Sequence, residues 1–201
     1  FNAIKSSPYK TNSLNSSSVT GIVKDDKGRF WISLFDGGVD VYDPKSEKII
    51  NLNNQNNTIA KGLNSLDIPT IFYDSKKNIW VGTWDSGLFL LKHNSKEFIN
   101  VKTLSSKSTF KSNRVMSFAE DSQGTLWIGT FGNGLYSYDH SSENFTHHDS
   151  AEFQKYYINT SNIRKVLIDD KDAIWIGTRN GLFKITKDRR EKFKVFSFNE
   201  N

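Results

Sequence analysis

Apolar and polar positions in this chain fall into short runs that come round four times. An apolar run leads into each of four aspartates, in VTGIVKD, IPTIFYD, VMSFAED and IRKVLID. A tight polar turn follows, then a segment built on a tryptophan: GRFWISLFDGGVDVYDP, KNIWVGTWDSGLFLLKH, GTLWIGTFGNGLYSYDH and DAIWIGTRNGLFKITKD. Each copy closes on one more short run, KIINL, EFINV, NFTHH or KFKVF. Runs this short, bounded by Gly, Asn, Asp and Ser, predict strands, because helices need longer stretches at a 3.6-residue period. Trp31, Trp80, Trp127 and Trp175 stand 49, 47 and 48 residues apart, and Asp25, Asp74, Asp121 and Asp169 stand six residues before them.

Four short strands in each repeat of about 48 residues is the pattern of a β-propeller blade. The predicted fold class is therefore all-β, with four tandem four-stranded antiparallel blades. They are placed at 18–66, 67–113, 114–161 and 162–201, with 1–17 as the outer strand of a preceding blade plus a linker. Phe1 sits 18 residues before Val19, as Phe145 sits 18 before Ile163, so the chain opens in mid-pattern. That phasing predicts an excerpt of a larger ring, expected to have seven blades. Both end faces should then be apolar and should drive self-association.

The turns and strands have separate physical causes. In Asp25-Asp26-Lys27-Gly28 and Asp121-Ser122-Gln123-Gly124 the Asp caps a tight turn and Gly supplies the positive φ. Lys77 and Asp172 hold the Gly position in the other two copies, which predicts strain or a different turn type. The Trp–aliphatic–Gly–Thr strand reads as continuously apolar, as a strand buried on both faces does. Its tryptophan is expected to wedge between blades, so that truncation to Ala costs about 3–5 kcal/mol.

Composition narrows the function classes. Aromatics make up 13% of the 201 residues, which suits half-buried sheet surfaces. With no Cys there is no disulfide framework and no thiolate metal site or nucleophile. The net charge of +5 is spread along the chain, apart from Lys184, Lys187, Arg189, Arg190, Lys192 and Lys194, read as a guarded edge strand. No nucleic-acid partner is therefore expected in this segment. No apolar stretch nears the roughly 20 residues needed to span a bilayer, so membrane contact would come only through other parts of a parent chain.

The repeat LWIGTFGNGLYSYD, with Asp and Gly just upstream, resembles the two-component-regulator propeller repeat. The resemblance covers nearly the whole chain. The first copy departs from it with Ser33-Leu34 in place of Gly-Thr, and the fourth with a hairpin one residue shorter. It implies a periplasmic sensor region of a Bacteroides-type hybrid two-component system, held in the inner membrane and joined to a histidine kinase. Its ligands would be oligosaccharides and its output the transcription of glycan-utilisation genes. The kinase and its fused modules lie outside these residues.

Strand order puts the second hairpin of every blade and the linkers between blades on one rim. The linkers Asn53 to Leu66, Thr103 to Asn113 and Ser150 to Asn162 are long and polar, with Phe110, Phe153, Tyr156 and Tyr157 scattered through them. Long loops in compact domains are often functional. The hairpin tips carry Phe35 and Asp36, then Trp84 and Asp85, then Phe131 and Asn133, then Arg179 and Asn180. A ring beside a carboxylate, amide or guanidinium suits a sugar, whose apolar face packs on the ring while its hydroxyls find polar partners. Trp84 leads as the one tryptophan away from the anchors. The plainer alternative is that Phe35, Trp84 and Phe131 pack against neighbouring blades, and that Arg179 is a surface residue.

Catalysis is disfavoured. Propeller sialidases carry Ser-x-Asp-x-Gly-x-x-Trp, whereas here Asp121 lies six residues before Trp127 and Ser122 five before it, so the pattern is out of register. A glycosidase needs two carboxylates at close range, whereas the repeated aspartates recur once per blade, as turn residues do. Of the histidines, His147 and His148 are adjacent and point to opposite strand faces, a poor metal clamp. A surface location is expected for them and for His93 and His140. No catalytic residue, metal or cofactor is expected. A protein-interaction or dimerisation scaffold is the remaining alternative.

Overall fold

The computed structural model describes residues 4–7, 12–53, 59–104, 109–158, 161–187 and 192–198. Its strands form four separate antiparallel sheets, each a meander in sequence order. Blade I holds β1 (Val19–Lys24), β2 (Phe30–Leu34), β3 (Gly38–Asp43) and β4 (Lys48–Asn51). Blade II holds β5 (Thr70–Tyr73), β6 (Ile79–Gly82), β7 (Leu88–Leu91) and β8 (Ile99–Asn100), followed by the single turn α1 (Val101–Leu104). Blade III holds β9 (Val115–Glu120), β10 (Leu126–Thr130), β11 (Leu135–Asp139) and β12 (Asn144–His147), followed by α2 (Ala151–Lys155). Blade IV holds β13 (Ile163–Ile168), β14 (Ile174–Thr178), β15 (Gly181–Lys187) and β16 (Phe193–Ser197). Phe1 to Ala3, expected to continue an outer strand, lie outside the described residues, as do Arg189 and Arg190.

Blades stack face to face with the first strand of each innermost. β1 packs on β5, β5 on β9, and β9 on β13. The apolar core is divided among the gaps. Trp31, Val39 and Val41 of blade I pack with Ile71, Ile79 and Phe98 of blade II. Trp80 and Leu90 meet Phe118, Tyr138 and Phe145 in the next gap, and Trp127 meets Val166, Ile185 and Val195 in the third. Among the described residues no such cluster joins blade IV to blade I. Their outer faces instead leave Val19 and Ile22, and Leu167, Leu182, Phe196 and Phe198, exposed.

The close approach of inner strands explains the Gly-Thr motif. A Cβ added at Gly82 would meet Val115 Cγ1 at 2.7 Å, and one at Gly129 would meet Ile163 Cγ2 at 2.5 Å. Blade I has Ser33 at this position, and its cross-strand partner is Gly21, whose own added Cβ would meet Ser33 Oγ at 2.9 Å. The equivalent pairs are Thr70–Gly82, Ser117–Gly129 and Lys165–Gly177. Each pair holds one glycine, so the departure of the first repeat is a swap across the strands.

The anchor tryptophans are wedges, but with a second function. Trp31, Trp80 and Trp127 are buried, while Trp175, in the last described blade, is half-buried and stacks on Phe198 at 5.5 Å. In all four blades the indole Nε1–H donates to Oδ2 of the aspartate six residues earlier, at 2.7 to 2.9 Å. The other oxygen of Asp121 accepts the backbone N–H groups of Gln123 and Thr125, and that of Asp169 those of Lys171 and Ala173. One carboxylate thus closes the turn and fixes the wedge. The indole N–H, then the Ala173 N–H, hold the Asp169 carboxyl down to about 2. At Asp25 burial pushes upward, but the Trp31 and Arg29 hydrogen bonds outweigh it and the net shift is downward.

The Lys77 and Asp172 turns keep the same closure as their Gly counterparts, so no different turn type appears. Lys77 has φ 66° and Asp172 φ 57°, where Gly28 and Gly124 have 83° and 80°. The expected strain is therefore local and sits at non-Gly residues in the left-handed region.

A candidate ligand-binding rim

The second hairpins stand on the same rim as the linkers. Trp84 N–H donates to Asp67 O, Phe131 N–H to Arg114 O, and Gly87 N–H to Asn113 O at 2.8 Å. The Thr of the Gly-Thr motif sets the hairpin: Thr83 Oγ1 donates to Gly87 O at 2.9 Å and Thr130 Oγ1 to Gly134 O at 2.7 Å. Blade I has Leu34 there and uses Asn53, whose Nδ2 donates to Gly37 O at 2.8 Å.

These hairpins bring Trp84 of blade II against Phe131 of blade III, with ring centroids 5.4 Å apart and planes at 51°. Both rings are half-buried. The packing alternative is thus realised for this pair, and the pair still forms part of the surface. The Arg114 guanidinium lies 5.4 Å from the Trp84 centroid and 5.6 Å from that of Phe131. The Arg164 guanidinium lies 5.1 Å from Phe131. Neither arginine was signalled by the repeat, because the stack joins residues of three different blades.

Backbone irregularity explains how Arg164 reaches the rim. The β13–β14 ladder shifts register between Ile163 and Lys165, leaving Arg164 as the extra residue. The same shift occurs in β1–β2 at Thr20 and in β10–β9 at Met116. A bulge re-aims a side chain that a regular strand would direct elsewhere.

The other predicted residues are spread along this rim. Asp85 is exposed and accepts a hydrogen bond from Ser65 Oγ at 2.8 Å. Asn133 is an exposed tip residue whose backbone oxygen contacts His147 Nε2 at 2.9 Å. Arg179 and Asn180 line a cavity of about 580 Å³ with Tyr157, Ser161, Asn162 and Thr178. Asn162 also bridges to Phe131, so the cavity adjoins the ring pair. Tyr157 is 71% exposed at φ 56°. Phe110 and Phe153, read as linker aromatics, are instead core residues that plug the gaps of blades II–III and III–IV.

Two histidines contradict the surface expectation. His148 is buried against Trp127, Phe153 and Phe193, and its Nε2 pairs with Ser137 Oγ at 2.9 Å. Burial, then the neighbouring His147, drives its pKa down to about 4. Strand alternation sends one of two adjacent histidines inward, and here the inward side is the core. His140 is half-buried on the opposite rim, 3.5 Å from Asp74 Oδ2 and 3.8 Å from Glu120 Oε1. Among the described residues no group of three metal-ligating side chains comes together.

This geometry defines the chain as a set of β-propeller blades. Comparison with known families then places its repeats: residues 13–36, 62–85 and 109–132 match the two component regulator propeller family, and the chain carries repeats of that family. The matched stretches run from the inner strand through the anchor strand to the second hairpin. Among solved structures, one similar to it is the extracellular domain of a protein assigned to a hybrid two component system of Bacteroides thetaiotaomicron. The identity is 30% over 92% of this chain and 24% of that one, with TM-score 0.69. A second such domain from the same organism is 20% identical over 97% of this chain and 26% of that one, TM-score 0.70. Virginiamycin B lyase from Staphylococcus aureus is 12% identical over 90% of this chain and 56% of that one, TM-score 0.63. The last two likenesses show the fold alone. This chain spans about a quarter of the length of the two extracellular domains. No curated protein matches the sequence.

Proposed function

We propose that these blades are part of an extracytoplasmic sensor, that the rim of second hairpins contributes to an oligosaccharide site, and that ligand binding controls glycan-utilisation genes through a membrane-anchored kinase. The observation that carries the reading is the Trp84–Phe131 pair at the surface beside polar hairpin tips and the Arg179–Asn180 cavity. Trp84 differs from the anchor tryptophans in that its indole N–H has no partner among the described residues. It is therefore a donor available to a hydroxyl.

The test is a thermal-shift screen of the full natural chain that carries these blades, against neutral and acidic oligosaccharides. Ligand at 100 times its Kd adds about 2.7 kcal/mol of stability. That increment is read as a melting shift of a few degrees. A shift lost on Trp84→Ala supports the reading. Shifts that survive Trp84→Ala and Arg179→Ala place the site elsewhere.

A protein-interaction surface is favoured by a different observation. Phe35 and Leu66 are 46% and 51% exposed at the blade I end of the same rim. A chain that binds no glycan and loses self-association on Phe35→Ser with Leu66→Ser would carry this second reading. The exposed faces of blades I and IV are expected to make the isolated segment self-associate. A monodisperse monomer in light scattering would contradict that.

A further inference from the structure

We infer that the rim recognises a sugar bearing an anionic group, a carboxylate or a sulfate ester, through Arg114 and Arg164, which lie against the Trp84–Phe131 pair. The inference rests on the oligosaccharide reading above and names its ligand class.

Two permanent cations lie within 5.6 Å of the same neutral ring centroid. Both arginines are exposed, and neither forms an ion pair with a described carboxylate. Two cations against one ring make the surface around it electropositive. Neither guanidinium donates a side-chain hydrogen bond among the described residues, so contact with the rings leaves its fork of N–H donors open to a ligand. An edge with several donors in a fixed fork suits a planar carboxylate or a sulfate oxygen pair.

The arginines are also where the repeat is least uniform. The position of Arg164 is Thr20, Pro69 and Met116 in the other blades, and that of Arg114 is Ser18, Asp67 and Asn162. In blade I the bulge residue is spent internally, with Thr20 Oγ1 donating to Ile68 O at 2.5 Å. In blade IV the same bulge sends a charge to the surface beside a ring and a cavity. An anion at either guanidinium would feel the positive charge of both, while the sugar ring would pack on the exposed part of Trp84 or Phe131.

The experiment uses the full natural chain and two matched pairs of probes. One pair is an oligogalacturonate tetramer and its methyl ester; the other is a sulfated galactan tetrasaccharide and its desulfated form. Binding is measured by calorimetry at low and high salt, on wild type, Arg114→Gln, Arg164→Gln and the double variant. The expected result is that one charged probe binds at least about tenfold more tightly than its neutral partner, with the preference falling in salt. The preference should vanish in the double variant, the charged form then binding no more tightly than its neutral partner. The pair that shows the effect decides between carboxylate and sulfate. Equal binding of charged and neutral forms, or a preference that survives the double variant, overturns the inference and leaves the oligosaccharide reading standing. Failure of all four probes on wild type overturns both.

Discussion

The two rims of these blades are built on opposite rules. On one, the same device recurs in every blade: an aspartate closes a turn and accepts the indole N–H of its tryptophan, and in blades I to III the next residue latches to the following blade. Asp26 N–H donates to Tyr73 Oη at 3.1 Å, Ser75 N–H to Glu120 Oε2 at 2.8 Å, and Ser122 N–H to Asp172 Oδ1 at 3.0 Å. On the other rim, the hairpin tips run from Phe35 to Trp84 to Phe131 to Arg179, and bulge residues run from Thr20 to Arg164. Sameness marks what each blade needs in order to stack. Difference is confined to positions that stacking leaves free, and there the rings, guanidiniums and cavity gather.

The sharpest test of the first rule is Trp80→Ala, which removes a fully buried wedge and is expected to cost about 3–5 kcal/mol in urea unfolding. Trp175→Ala removes a half-exposed ring and should cost less than half as much. Equal costs would break the link between wedge and neighbouring blade. Acid comes next, through His148. Its folded pKa of about 4 lies below the ordinary value of 6.5, so the stability it contributes is complete above pH 6.5. That stability is lost as the pH falls through 4, by about 3 kcal/mol at most. His148→Gln should flatten the loss between pH 6.5 and 4.

Asp121→Ala is the third. It strands the Gln123 and Thr125 N–H groups and the Trp127 indole, for about 1–3 kcal/mol. Last, Arg164→Gln on the variable rim should change stability by less than about 0.5 kcal/mol. A larger loss would mean that the bulge arginine supports the fold, and the contrast between the rims would weaken.

Much of the structural rim was legible in the sequence. The anchors, the turn aspartates and the strand order follow from periodicity and turn chemistry, because each depends on residues close in the chain. Even so, the aspartate's bond to the tryptophan went unread, since the turn alone accounts for an Asp there. The variable rim was legible only as hairpin tips. Arg114 meets Trp84 of the preceding blade and Arg164 meets Phe131 of its own preceding blade, and a bulge in β13 decides where Arg164 points. The linker aromatics misled for a related reason. Phe153 is set in a polar run, yet α2 turns it into the gap behind Trp127 and His148.

Amide hydrogen exchange of the full natural chain, with and without the best-binding charged oligosaccharide, compares the rims directly. Ligand is expected to protect residues 83–87, 130–134 and 162–164 and to leave the turns at 25–29, 74–78 and 121–125 unchanged. Protection of the Asp–Trp turns, or equal protection of both rims, would contradict the assignment of ligand binding to the variable rim.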